Sequence, residues 1–144
     1  MLILHITTGS NYSVLRSFVK FVNDEFNIDR HEFIIMGKKA SVPKDFLAYK
    51  NVFVVDTHHK SRLAFLAIKM YRSDKIVLHS LNKTSFQFLL LLNPKLLRRV
   101  FWVSWGADSY QWRVDKAGLK YVIRNRIAYR IRKRITNFVG IFPP

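Results

Sequence analysis

The sequence predicts an α/β sandwich: a mostly parallel sheet of about six strands with helices on both faces. Short runs rich in β-branched residues alternate along the chain with longer segments whose apolar residues recur at helical spacing. The strand-like runs are almost continuously apolar, which is typical of strands buried on both faces. Because the strands alternate with helices, we expect right-handed crossovers and a parallel sheet. The length of 144 residues suits one domain with a real core.

The first half of the chain contains three predicted strands and one clear amphipathic helix. The strands are residues 2–7, 32–36 and 51–55. The helix is predicted over residues 11–26, where apolar side chains recur three and four positions apart, and either Ser10 or Asn11 would cap it. A short helical turn near Phe46 is expected between the second and third strands.

The second half repeats the alternation. The predicted strands are residues 75–80, 99–105 and 137–142, and the predicted helices are residues 61–72, 84–92 and 116–134. The last helix is the longest, and its apolar residues form one stripe from Leu119 to Ile131. With no internal repeat and no linker, residues 1–144 are predicted to form a single Rossmann-like domain.

Charge is distributed unevenly along the chain, whose net charge is +16. Residues 1–56 hold seven Lys/Arg and six Asp/Glu, whereas residues 57–144 hold eighteen and three. Such an excess attracts polyanions, namely nucleic acid, anionic lipid headgroups or phosphorylated substrates. The absence of cysteine excludes disulfides and thiolate metal sites.

Three loops that follow predicted strands carry unusual polar residues. They are TTGSN at residues 7–11, HSLN at 79–82 and WGADSY at 105–110. Because ligands of such sheets bind outside the carboxyl ends of the strands, these loops predict a shared site. The structural alternatives are a tight turn with a helix N-cap in the first loop, a hydrogen-bonded structural role for His79, and capping of the Gly106 turn by Asp108.

Several common phosphate and nucleophile motifs are missing. The five glycines, at positions 9, 37, 106, 118 and 140, cannot build G-x-G-x-x-G or a P-loop. The sequence also lacks a D-x-D pair that would hold a metal-bound nucleotide diphosphate, and a G-x-S-x-G nucleophile elbow. If the protein is an enzyme, this chain is therefore expected to carry only part of a site.

The segment VFWVSWGADSYQW at residues 100–112, with GLKYVIRNRIAYRIRKRI after it and VLHSLN before it, resembles bacterial Fuc4NAc (4-acetamido-4,6-dideoxy-galactose) transferases. These enzymes act in enterobacterial common antigen synthesis, a polysaccharide biosynthesis pathway. The positions that match the family pattern are Gly9, Ser10, Trp105, Gly106, Ala107, Asp108, Tyr110 and residues 118–121. HSLN is one residue shorter than the family's stretch.

The resemblance implies the N-terminal, acceptor-side half of a two-domain GT-B glycosyltransferase. The nucleotide-sugar-binding C-terminal domain is then absent from this chain, and the isolated domain is expected to be inactive. The implied reaction is an inverting transfer of an acetamido-dideoxy sugar from a thymidine-diphosphate donor to a lipid-pyrophosphate-linked glycan. It needs neither a metal nor another cofactor.

The resemblance also assigns roles to individual residues. Asp108 is the candidate base that takes the proton of the attacking hydroxyl, and His79 is the second candidate. Thr7, Ser10, Ser80 and Asn82 would hydrogen-bond sugar hydroxyls, and Trp105 and Tyr110 would stack on a sugar ring. The full set of expected substrate-binding residues is Thr7, Gly9, Ser10, Ser80, Asn82, Trp105, Gly106 and Tyr110.

The predicted helix 116–134 has a dense basic surface beside its apolar stripe. Its basic residues are Lys116, Lys120, Arg124, Arg126, Arg130, Arg132, Lys133 and Arg134. Each basic residue near an anionic bilayer contributes about 1 kcal/mol of attraction. Together with the lipid-linked acceptor that the resemblance implies, this basic surface leads us to expect peripheral attachment at the cytoplasmic face of the bacterial inner membrane.

The alternative from another functional class is a basic nucleic-acid-binding module without catalytic activity. The sequence pI near 10.5 and the interleaved aromatic residues fit it on charge alone. However, the sequence contains no helix-turn-helix pattern and no aromatic RNP-type strand. A response-regulator-like interaction domain is disfavoured, because the first strand lacks the acidic cluster that ends it in those proteins.

Overall fold

The computed structural model describes residues 1–7, 12–38, 42–56, 60–79, 84–104, 126, 130, 131, 134 and 137–140. Six strands form one sheet in the order β3-β2-β1-β4-β5-β6, and every neighbouring pair is parallel. The strands are β1 (Ile3–Thr7), β2 (His31–Met36), β3 (Val52–Val55), β4 (Lys75–Leu78), β5 (Val100–Ser104) and β6 (Asn137–Gly140). The predicted Rossmann-like α/β fold is confirmed.

Helices connect the strands. They are α1 (Tyr12–Glu25), α2 (Lys60–Arg72), α3 (Thr84–Leu92) and α4 (Pro94–Leu97), with 3-10 turns at Ile28–Arg30 and Lys44–Ala48. The sequence did not predict α4, because four residues are too few to show a helical period. Pro94 lies in its first turn, where the missing N–H of proline has no intrahelical acceptor to lose. Of the predicted helix 116–134, only residues 126, 130, 131 and 134 are described, and they are helical.

Alternating side chains of the central strands face two helix layers. We call α1 and the turn Lys44–Ala48 the first layer. Its buried cluster is Leu15, Val19, Val22, Phe33, Ile35, Val42, Phe46 and Val52. We call α2, α3 and α4, with Ile131, the second layer. Its larger cluster includes Leu4, Ile6, Ile34, Leu66, Met70, Phe86, Leu90 and Ile131. The helices therefore cover both faces of the sheet.

The strand order places the topological switch point between β1 and β4. After β1 the chain continues into α1 in the first layer, whereas after β4 it continues into α3 in the second layer. The two connections run to opposite faces, and sheets with this arrangement bind their ligands outside the carboxyl ends of the strands at the switch point. The predicted fourth strand extended to residue 80, but β4 ends at Leu78.

Candidate functional site

Two of the predicted site residues meet at the switch point. Thr7 is the last residue of β1, and His79 directly follows β4. The backbone N–H of His79 donates to the carbonyl oxygen of Ile6 at 2.8 Å, which ties the two strand ends together. Both side chains are buried, with 8% of Thr7 and 4% of His79 exposed. The structure thus brings together the ends of the two predicted loops at residues 7–11 and 79–82.

The other predicted catalytic and substrate-binding residues lie outside the described residues. They are Gly9, Ser10, Ser80, Asn82, Trp105, Gly106, Asp108 and Tyr110. Of the predicted membrane-contacting residues, Lys116, Lys120, Arg124, Arg132 and Lys133 also lie outside them. Arg126, Arg130 and Arg134 are described, and all three are helical and exposed.

His79 belongs to a chain of three histidines that the sequence did not reveal. Its Nε2 lies 3.3 Å from Nδ1 of His5, and Nε2 of His5 lies 3.0 Å from Nδ1 of His31. The sheet register explains the alignment. In β2 the partner of His5 is Phe33, and His31 lies two residues before it on the same face of the sheet. In β4 the partner of His5 is Val77, and His79 lies two residues after it on that face. The three rings therefore form a diagonal across the face that α1 covers.

Aromatic side chains enclose the middle of this chain. The ring of Phe33 stacks on His5 with centroids 4.6 Å apart, and Phe18 of α1 contacts His5 edge-on at 5.4 Å. Phe18 also lies 4.9 Å from the ring of His79. The space between His5, Phe33 and His79 is too small for a water molecule. A proton that moves between these rings must therefore pass directly from nitrogen to nitrogen.

Burial keeps the rings neutral at pH 7. It lowers the pKa of His5 to about 2, with further lowering by His79 and His31, because a charged ring there would lose its hydration and face two other histidines. Burial lowers the pKa of His79 to about 4 and also lowers the pKa of His31. A neutral imidazole has one donor and one acceptor nitrogen, so each ring can donate to one neighbour and accept from the other.

The chain of rings ends at a pocket on the opposite edge of the sheet. His31 begins β2, is half-buried, and lines a pocket of about 280 Å³ together with Met1, Phe26, Asn27 and Arg30. The side-chain amide of Asn51 donates to the carbonyl oxygen of His31 at 2.9 Å and fixes its backbone. Within the described part of the chain, no group of three or more His, Cys, Asp or Glu residues is placed to hold a metal ion.

A Rossmann-like sheet with polar residues at its switch point defines a class of α/β domain that binds its ligand at the carboxyl edge of the strands. Comparison with known families adds a family assignment to this fold class. The sequence model of the 4-alpha-L-fucosyltransferase family, glycosyl transferase group 56, matches residues 2–141, so the chain belongs to this family of glycosyltransferases. The resemblance seen around residues 100–112 is therefore confirmed. None of the curated proteins matches the chain.

Proposed function

We propose that this chain is the acceptor-side domain of an inverting GT-B glycosyltransferase. It would act with a nucleotide-sugar-binding C-terminal domain and be inactive alone. The enzyme would move an acetamido-dideoxy sugar from a nucleotide-diphosphate donor to a lipid-pyrophosphate-linked glycan, as in enterobacterial common antigen synthesis. The observation that carries the proposal is the family match across residues 2–141. The position of the polar residues Thr7 and His79 at the carboxyl ends of β1 and β4 supports a binding site at the switch point.

The proposed chemistry needs a base on the acceptor side. The acceptor hydroxyl attacks the anomeric carbon, the bond to the diphosphate breaks with its electron pair on the leaving oxygen, and the base takes the hydroxyl proton. Asp108 is the first candidate, because it follows β5, and β5 lies beside β4 in the sheet. His79 is the second candidate, since it follows β4 itself. Neither role requires a metal or another cofactor.

One pair of variants in the full-length transferase tests these roles. If Asp108 is the base, Asp108→Asn lowers the transfer rate by about 10²-fold or more without lowering the melting temperature. If His79 is the base, His79→Gln has that effect, while Asp108→Asn, which conserves a helix-capping side chain, costs little. Near-normal transfer by both variants would contradict both assignments.

We also propose that the protein attaches peripherally to an anionic membrane, through the second layer. Phe65, Ile68 and Tyr71 are exposed on α2, and Leu92 is exposed at the end of α3. The Tyr71 hydroxyl and Oδ1 of Asn93 are hydrogen-bonded, which brings the ends of these two helices together. Aromatic and aliphatic side chains of this kind insert into the boundary between headgroups and acyl chains.

Charge on the same layer complements anionic headgroups. The helices of this layer, residues 60–72, 84–92 and 94–97, hold five Lys/Arg and no acidic residue. Ile131 is buried in the same cluster as α2 and α3, so the exposed Arg126, Arg130 and Arg134 belong to this side of the sheet. No helix in the described ranges combines the length and apolarity needed to span a bilayer. A lipid-linked acceptor embedded in the cytoplasmic face of the inner membrane would then be reached from that surface.

A further inference from the structure

The three-histidine chain has two consistent hydrogen-bond directions. In the first, His79 donates from Nε2 to Nδ1 of His5, and His5 donates from Nε2 to Nδ1 of His31. Neutral His79 then has its lone pair on Nδ1. In the second, every donor and acceptor is exchanged, and neutral His79 carries its proton on Nδ1. Because each ring has one donor and one acceptor, the tautomers of all three rings change together.

Protonation of His31 permits only one of these directions. A protonated imidazole is a donor at both nitrogens, so His31 then donates from Nδ1 to Nε2 of His5. Neutral His5 must in turn donate from Nδ1 to Nε2 of His79. His79 is left with its proton on Nδ1 and cannot accept another proton there while it remains neutral.

We propose that His31 and His5 are positioning residues for His79: protonation of His31, in the pocket at one edge of the sheet, fixes the tautomer of His79 at the other edge with its proton on Nδ1. Where the transferase uses His79 as its base, which rests on the proposed function, Nδ1 of His79 accepts a proton only when His31 is neutral. The substrate hydroxyl then loses its proton to His79, and the tautomer of His79 depends on whether His31, at the opposite edge of the sheet, is protonated.

His31 is the member of the three-histidine chain that protonates first as the pH falls. It is half-buried beside the pocket, whereas only 5% of His5 and 4% of His79 is exposed, so its cation keeps more water. The charged groups at the pocket are Arg30 and the amino group of Met1, the latter 3.9 Å from Asp74. From α1, the three rings meet the uncharged ring of Phe18.

A complete transfer along the three rings conserves protons. His79 takes a proton at Nδ1, its Nε2 proton moves to Nδ1 of His5, and the Nε2 proton of His5 moves to Nδ1 of His31. His31 then releases its Nε2 proton into the pocket. One proton enters at the carboxyl edge, one leaves at the opposite edge, and all three rings finish neutral with their tautomers reversed. The reverse movement restores the starting state.

The decisive experiment follows the imidazole nitrogens of the ¹⁵N-labelled 144-residue chain by NMR as the pH is lowered from 8 through the titration of His31. Deep burial lowers the pKa of His79 to about 4, so the less buried His31 is expected to protonate before it. We expect the nitrogen shifts of His79 to report a proton on Nδ1 once His31 is protonated, and any His79 population with a lone pair on Nδ1 to be lost with the same midpoint as the titration of His31. Below that midpoint, the His79 population with a lone pair on Nδ1 falls about tenfold for each pH unit.

Two variants in the same pocket provide the comparison. His31→Gln removes the titrating ring, so the His79 tautomer is expected to be constant over the same pH range. Arg30→Gln alters the pocket but leaves the three histidines, so the two midpoints still coincide. Different midpoints for His31 and His79 in the unaltered chain would overturn the proposal, as would a pH-dependent His79 tautomer in His31→Gln. Because the unaltered chain supplies both midpoints, it tests the proposal even if a variant does not fold.

Measurements of transfer activity distinguish the proposed coupling of the three histidines from the proposed glycosyltransferase function. If His79 is the base of the full-length transferase, transfer falls with the His31 midpoint, and His31→Gln removes this pH dependence. If Asp108 is the base, the tautomers remain coupled in the NMR experiment while transfer is insensitive to His31. Absence of glycosyl transfer would contradict the proposed function and leave the NMR result to stand by itself.

Discussion

The two helix layers differ in charge much more than in apolar exposure. In the first layer, Phe21 of α1 is 53% exposed, and in the second, Ile68 of α2 is 56% exposed. The helices and turn of the first layer, residues 12–25 and 44–48, however, hold three basic and three acidic side chains, whereas the helices of the second layer, residues 60–72, 84–92 and 94–97, hold five basic and no acidic side chains. Isolated exposed apolar residues are ordinary on any protein surface. Unbalanced positive charge, rather than apolar exposure alone, therefore distinguishes the second layer from the first.

Ion pairs account for the balance in the first layer. Nε of Arg16 lies 2.7 Å from Oδ2 of Asp45, and Lys20 is paired with Asp24 one helical turn away. The second layer uses its partly buried Lys69 differently: Nζ lies 2.6 Å from Oε1 of Glu32 and 4.3 Å from the ring centroid of Phe53. This pair neutralises a cation near the sheet, so the remaining basic residues dominate the outer surface.

The largest expected effect concerns the unequal cores of the two layers. Leu66→Ala removes a side chain that is fully buried in the larger cluster and should cost about 3–5 kcal/mol of unfolding free energy. Leu15→Ala in the smaller cluster should cost nearer about 2 kcal/mol, because its site lies closer to solvent and can relax. Urea unfolding of the two variants measures the difference. A larger loss for Leu15→Ala would invert the comparison.

The next effect concerns membrane binding. Ile68→Ser with Arg72→Ser removes one apolar and one basic side chain from α2, and should weaken binding to vesicles of mixed neutral and anionic phospholipid by about tenfold or more. Phe21→Ser with Lys20→Ser makes the matched change on α1 and should change binding less than about twofold, because that layer has little net charge. Cosedimentation at increasing salt measures both, and screening should weaken the binding.

Several outcomes would contradict this assignment of the second layer. Equal losses for the two double variants would remove the distinction between the layers. Equal binding to neutral vesicles would contradict the electrostatic account. Salt-dependent binding to nucleic acid without binding to anionic vesicles would favour the nucleic-acid-binding alternative. A change in sedimentation coefficient caused only by the α2 variant would instead identify the face as a contact between two copies of the chain.

The smallest effect concerns the exposed ion pairs. Arg16→Gln in the first layer and Arg62→Gln in the second, where Arg62 lies 3.7 Å from Asp56, should each change the unfolding free energy by less than about 1 kcal/mol. Arg16, Asp45 and Arg62 are about half-exposed and only Asp56 is partly buried, so we expect solvent to screen both pairs and neither to contribute much to stability. Denaturant unfolding at low and high salt checks this. A loss above about 2 kcal/mol from either substitution would show that one pair is structural.

Much of the fold could be predicted because the strands and long helices have strong local patterns. Strand β1 and helix α2 lie within one residue of the predicted ranges 2–7 and 61–72 at each end. The end of β4 was less accurate, because the pattern of residues 75–80 continues past Leu78, where the strand stops. Helix α4 was missed because four residues show no period. Local pattern therefore located the elements better than their ends.

The candidate site was only partly visible in the sequence. Chain order was enough to place Thr7 and His79 at one edge, since both follow strands of a parallel sheet. The link from His79 through His5 to His31 depends on strand order and register, which place residues 5, 31 and 79 on one diagonal. The available signal was a histidine at an inward-facing position of an apolar strand. One such residue does not reveal which partners will face it.

The residues of the two buried clusters span different lengths of the sequence, so the two clusters can form at different times during synthesis on the ribosome. All members of the first-layer cluster lie between Leu15 and Val52, so this core is available early in synthesis. The second-layer cluster extends from Leu4 to Ile131, so the opposite face of β1 waits for residues made much later. A nascent chain with three paired strands would thus have one covered and one bare apolar face. Such surfaces attract chaperones or other nascent chains.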